Sequence, residues 1–228
     1  MLQSANPSNI PPIVSSLAIK AFTELAHAEM HTHGASSLDA VHFHEVGAVD
    51  SIVDTVGTLL ALYFLGVDLG DVGTDGTKGK KCAVTCSRLP LGEGTVWTDH
   101  GLLPVPAPAT MRLMVNMPTC PGPKGVTGEL VTPTAAALLR VLTGVSSSSA
   151  EQNKSTYWQS KELVGRPPCF TPRAVGIGAG TKDFEKHANI LRLVLGDETQ
   201  NQVEGETGSA VDSSIDEKVG DKLNGESK

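Results

Sequence analysis

Between Ile13 and His31 the apolar residues Val14, Leu17, Ala18, Ala21, Phe22, Leu25 and Ala28 recur at steps of three and four, the period of one face of a helix. Pro11 and Pro12 suit the start of that helix and Gly34 its end. The segment Val41-His42-Phe43-His44-Glu45-Val46 then alternates apolar and polar positions, which predicts a short strand or extended loop. A second helix follows, with Val49, Ile52, Val53, Val56, Leu60, Tyr63 and Phe64 as its apolar stripe and Gly66 as its stop.

The loop Gly70 to Lys81 is too rich in Gly, Asp and Lys to pack and reads as a solvated insertion. After it come a strand from Ala83 to Leu89, a Gly-containing turn, the Pro-rich stretch His100 to Thr110, and a helix beginning at Pro108. Glu129 to Thr132 reads as a strand running into a helix, with Thr132 as N-cap, Pro133 at the first helical position and Gly144 as the stop. Ser146 to Thr156 is a second flexible insertion. Arg173 to Gly180 leads through a Gly-rich turn into Ile190 to Leu195, whose aliphatic run fits a buried strand. Helices and strands interleave, so the fold class is α/β (or α+β). The expected organisation is a flexible N-terminus over 1–12, one body over 13–196 and a disordered acidic tail over 197–228.

Composition refines this picture in three ways. Aromatic residues make up only 4% of the 228, so the core must be built from Leu, Val and Ala. From Asp197 onward nine acids face three lysines, so the tail carries six of the seven net negative charges. The near-neutral body lacks the positive field that nucleic-acid binding requires, which excludes nucleic acid as the expected partner. Finally, no apolar run approaches the length of a membrane span, and the N-terminus has neither the basic start nor the apolar block of a secretory signal. The expected location is the cytoplasm, with an organelle left open, and Cys82, Cys86, Cys120 and Cys169 are expected as free thiols.

The densest group of metal-ligand side chains is His31, His33, His42, His44, Glu45, Asp50 and Asp54. In an extended segment His42 and His44 point to the same side, about 6.6 Å apart along the strand, close enough for both rings to tilt onto one ion. Asp50 and Asp54 stack on one face of the second helix, opposite its apolar stripe. Imidazole and carboxylate suit Ni(II) and release it more readily than thiolates would. Competing readings are structural: Asp50 and Ser51-x-x-Asp54 also fit helix capping and the helix dipole, and the His27/His31 pair fits a solvated face. His33, at the helix exit beside the cluster, is the better neighbouring candidate. Cys82 and Cys86 have no second pair at zinc spacing and read as incidental thiols. An anionic ligand has two candidate seats: the helix start at Thr132 and Thr134, and the turn containing Gly178, Gly180 and Lys182. No catalytic residue stands out.

The segments HFHEVGAVDSIVD (His42 to Asp54), HGLLPVPAPAT (His100 to Thr110), ELVTPTAAALL (Glu129 to Leu139) and GIGAGTKDF (Gly176 to Phe184) occur in the order seen in LarC-type nickel insertion proteins. With SRLPLGEG (Ser87 to Gly94) and NILRLVLG (Asn189 to Gly196), the chain resembles that family over most of 13–196. The resemblance implies nickel binding and a lyase-type nickel chelatase reaction. In that reaction nickel enters pyridinium-3,5-bisthiocarboxylic acid mononucleotide through metal–sulfur and metal–carbon bonds, and cytidine triphosphate with a divalent metal is consumed. It carries a metal role onto His42, His44, Glu45 and Asp50. It also implies that an N-terminal strand and a C-terminal nucleotide-binding domain lie outside this chain, so that either a second chain supplies them for turnover or the sequence is a partial gene model. A nickel carrier without turnover, or a zinc or manganese hydrolase using the same ligands, are the alternative readings.

Overall fold

The computed structural model describes residues 9–41, 49–70, 84–98, 101–145, 164–165 and 169–198. Helix α1 spans Pro12–His33 and buries Val14, Leu17, Ala18, Ala21, Leu25 and Ala28, the stripe that its three-and-four spacing predicts. Pro12 opens it, where a missing amide proton costs nothing, and Gly34 ends it in the left-handed conformation with its N–H on the Met30 carbonyl. A single 3-10 turn, Leu38–Ala40, follows. Helix α2 covers Val49–Phe64, and the chain leaves it through Gly66, whose φ of 75° suits a residue without Cβ.

The strands are short and sit in pairs. β1 (Cys86–Ser87) is parallel to β6 (Val164–Gly165), and β2 (Leu89–Leu91) is parallel to β5 (Thr119–Pro121). β3 (Thr95–Thr98) and β4 (Gly101–Pro104) form an antiparallel hairpin, followed by the short helix α3 (Pro108–Leu113). Helix α4 runs from Pro133 to Thr143, and β7 (Phe170–Ala179) and β8 (Ile190–Glu198) make a long antiparallel ribbon. This is a mixed α/β fold, as its interleaved pattern predicts.

Two apolar clusters share α1 and α4. The first joins Leu25 and Ala28 of α1 to Leu89, Leu113, Met114, Met117, Val131, Ala136 and Ala137. The second joins Val14, Leu17, Ala18 and Ala21 of α1 to Leu59 and Leu62 of α2, Leu69, and Leu138, Val141 and Leu142 of α4. Aliphatic side chains build both clusters, as the low aromatic content requires. On α4, Thr132 caps the first turn by accepting from the Ala135 N–H at 3.3 Å, and Gly144 closes the last at φ 67°. Such a cap contributes about 1 kcal/mol.

Six sequence expectations are corrected. The side of α2 that enters the core carries Ser51, Thr55, Leu59 and Leu62, whereas Val49 (74% exposed), Val53, Tyr63 and Phe64 (78% exposed) face outward. On the buried side Leu59 and Leu62 supply the apolar contact, and the Ser51 hydroxyl accepts from Thr134 Oγ1 at 3.3 Å, so this polar group is satisfied where α2 meets α4. Glu129 to Thr132 is not a strand: Gly128 turns the chain at φ 92° and makes only an isolated bridge to Glu93. The strand expected over Ala83 to Leu89 is broken at Arg88 into β1 and β2, and the Pro-rich stretch supplies β4. The ribbon is a strand pair as far back as Phe170, so Gly176 and Gly178 lie in β7 rather than in a turn. β8 is not buried, with Leu191 76% exposed. It also extends to Glu198, making Asp197 a ladder residue opposite Thr171. The insertion over 70–81 beyond Gly70, the stretch 146–156, residues 1–8 and those after Glu198 lie outside the described residues.

Cys86 sits half-buried at β1, and burial pushes its thiol up to about 11 from 9.0. A raised folded pKa stabilises the protein below the unfolded value and loses that contribution as pH climbs from about 9 to about 11. At mild alkaline pH iodoacetamide is therefore expected to label the exposed Cys169 well before Cys86, read by peptide mass spectrometry. Equal labelling rates in the folded protein would contradict the buried placement.

Candidate metal and ligand site

The motif segments, far apart in sequence, are tied to one another through the stretch Glu93 to Thr134. Thr110, fully buried at the end of the Pro-rich motif, donates its hydroxyl to Glu129 Oε1 at 3.1 Å. Lys182 Nζ donates to the Glu129 backbone carbonyl at 3.2 Å, bringing the ribbon's connection against the same residue. Thr134 Oγ1, in the first turn of α4, donates to Ser51 Oγ at 3.3 Å and so joins the start of α4 to the start of α2. The Gly128 N–H donates to the Glu93 carbonyl at 2.8 Å, and a Cβ on Gly92 would strike the Gly128 carbonyl, so glycine is required for this approach. Asn189 Nδ2 donates to the Lys182 carbonyl at 3.0 Å and fixes the end of the connection. Thr110, Lys182 and Ser51 thus tie three of the other motif segments directly to Glu129 or Thr134, while Glu93 bonds the neighbouring Gly128 and Asn189 is linked through Lys182.

At the rim of this meeting point stands the N-terminus of α2. Asp50 and Asp54 are both exposed, one helical turn apart. Asp50 Oδ1 accepts the Ser51 N–H at 2.8 Å, the dipole-favoured role of a first-turn acid. Ser51 spends its hydroxyl on Thr134 rather than on a capping box. His33, at the end of α1, pairs through Nε2 with Glu29 Oε2 at 3.1 Å. Among the described residues no three His, Cys, Asp or Glu side chains gather as a metal cluster. His42, His44 and Glu45, the core of the expected ligand set, lie outside the described residues. In the sequence they precede Val49, the first residue of α2, by four to seven positions. Imidazole and carboxylate donors of this kind fit a borderline divalent ion such as nickel.

Of the expected anion seats, Thr132 is committed to its cap and Thr134 to Ser51. Gly178 stands in the ladder opposite Leu191. The Gly180 N–H donates to the Asn189 carbonyl at 3.0 Å, and Lys182 reaches Glu129. The linking residues Ser51, Thr110 and Glu129 were not legible as site residues. Their one trace in the sequence is a polar side chain at a position that a helix or strand would otherwise give to the core.

The described residues form a mixed α/β body in which several of the ordered motifs are tied together beside the acidic start of α2. The chain belongs to the nickel insertion protein family, whose model, described as "Nickel insertion protein", matches residues 1–225. Among provisionally named nickel insertion proteins, one from Geobacter sp. (strain M21) is 42% identical over 195 residues, covering 86% of this chain and 42% of its own length. One from Geobacter metallireducens is 45% identical over 185 residues, covering 81% of this chain and 38% of its own. One from Myxococcus xanthus is 39% identical over 196 residues, covering 86% and 41%. The chain therefore spans about two fifths of the length of the curated relatives it matches. No solved structure matches it. Among the described residues no helix is long and apolar enough to cross a membrane.

Proposed function

We propose that this chain binds nickel as cargo at the start of α2 and presents it for insertion into pyridinium-3,5-bisthiocarboxylic acid mononucleotide, a lyase-type chelatase step that yields the nickel-pincer cofactor. The observation that carries this reading is the convergence of the motif segments on Glu129 to Thr134, next to Asp50 and Asp54. In this reading His42, His44, Glu45 and Asp50 hold the ion, with Asp54 and His33 at the periphery. The first turn of α4 (Thr132, Thr134) and the ribbon connection (Gly180, Lys182) flank the mononucleotide, while Gly178, held in the β7 ladder, is not part of that seat. Oxygen and imidazole donors keep the ion exchangeable, and a delivery step needs that more than it needs high affinity. Cytidine triphosphate and its divalent metal would be bound by polypeptide beyond the part of the relatives that this chain matches, supplied by a second chain where necessary.

The test uses protein purified without a histidine tag. Nickel near one equivalent per chain, in preference to zinc or manganese, is the expected result of metal analysis and titration. Transfer of that nickel to the thiocarboxylate mononucleotide, followed by the appearance of the pincer chromophore, separates an insertase from a carrier. Binding of zinc or manganese with exclusion of nickel would sink both.

A further inference from the structure

The β7/β8 ribbon presents its apolar side chains to solvent on both faces, although a two-stranded ribbon alone is marginal in water. The two faces differ in shape. By the register Gly176↔Leu193 and Gly178↔Leu191, one face carries a ridge of leucines along β8 beside a bare groove along β7. No heavy atom lies within 4 Å of where a Cβ on either glycine would stand, and Leu191 and Leu193 are 76% and 39% exposed. At the end of this face Arg173 Nη1 pairs with Asp197 Oδ1 across the strands at 3.2 Å.

We propose that this glycine-grooved face is a self-association surface whose occupant is the same face of a second copy of this chain. An isologous contact must be complementary to itself, and this one is. A two-fold axis running along the strands, midway between two stacked ribbons, places β8 of each copy over β7 of the other. Each leucine ridge then drops into the partner's glycine groove. The same operation sets Arg173 over Asp197 of the second copy, and the reverse, so the charges alternate around four positions. The opposite face lacks both properties: it has β-branched residues on both strands and no groove. The same axis would lay Arg192 over Ile177 of the second copy, a buried charge without a partner. A face about 30 Å long and two strands wide covers on the order of 300 to 500 Å² per copy, which puts the dimer at the weak end of specific interfaces. The surface belongs to the ribbon alone and is independent of the nickel site.

Sedimentation equilibrium of the full chain over a concentration series into the hundreds of micromolar range tests it. A reversible monomer–dimer equilibrium is expected. Gly178→Val adds a β-branched side chain at a strand position without positive φ and with open space around it, so the folded monomer should melt no lower than the parent. Filling the groove should nevertheless weaken the dimer at least tenfold. Leu191→Thr, which shaves the ridge while keeping strand propensity, should do the same, whereas Ile177→Thr on the opposite face should leave association intact. The proposal is overturned by a parent chain that stays monomeric throughout. It is equally overturned by a Gly178→Val protein that dimerises as well as the parent, or by loss of the dimer in Ile177→Thr.

Discussion

Arg140→Ala is expected to cost about 3 to 5 kcal/mol of folding stability, the largest single-site effect among the described residues. Arg140 lies on α4 and is 1% exposed, yet it is a cation in a largely aliphatic core. Its Nε pairs with Glu24 Oε2 of α1 at 3.2 Å, and its Nη1 donates to the carbonyls of Leu113 and Val115, both at 2.8 Å. It therefore satisfies the open carbonyl end of α3 while bridging α1 to α4. Burial pushes the guanidinium pKa down, and the charge and hydrogen bond of Glu24 oppose that shift. Nη2 is buried with no hydrogen-bond partner, so the site is not ideally satisfied. Alanine would remove the Glu24 ion pair and both donors to the Leu113 and Val115 carbonyls, and leave a cavity. Changing Glu24 and Arg140 together to methionine should recover part of the loss, because the carboxylate goes too, while the carbonyls stay orphaned. Urea denaturation followed by circular dichroism measures both variants. A loss below about 1 kcal/mol for Arg140→Ala would show that the bridge is unimportant.

The largest functional effect is expected at His42 and His44. Alanine at either position should weaken nickel binding by on the order of 100-fold, at or beyond the range typical of losing a residue that only supports a ligand. The melting temperature should stay within a degree or two. The motive is alternation: in an extended segment the two imidazoles share a side, with Glu45 the next residue and Asp50 six positions after His44 in the sequence. A histidine held for packing would give the opposite pattern, a lower melting temperature with unchanged metal stoichiometry in the folded fraction. Nickel titration and thermal melting on the same two proteins distinguish these outcomes. Unchanged affinity in both would end the assignment of this segment to the metal.

Where local periodicity and a terminal residue agree, the sequence alone determined the element. α1 between Pro12 and Gly34 and α4 between Thr132 and Gly144 are readable because their caps and buried stripes obey the same short-range geometry. The aliphatic makeup of the core was equally legible, since 4% aromatics leaves no other material. The order of the motifs was visible too, and with it the family. Tertiary structure decided what depends on which surface meets which. The apolar residues of α2 are spread around the helix, and which of them is buried is decided by where α1 and α4 meet it: Leu59 and Leu62 go in, with Ser51 bonded to Thr134, while Val49, Val53 and Phe64 stay out. Glu129 looked like the start of a strand, yet the positive φ of Gly128 and the hydroxyl of Thr110, 19 residues away in sequence, make it the anchor of the site. β8 reads as a buried strand because its residues are aliphatic on both sides, but periodicity records only that such a strand needs covering. The cover must come from other surfaces, and no short-range pattern in the chain encodes where they lie.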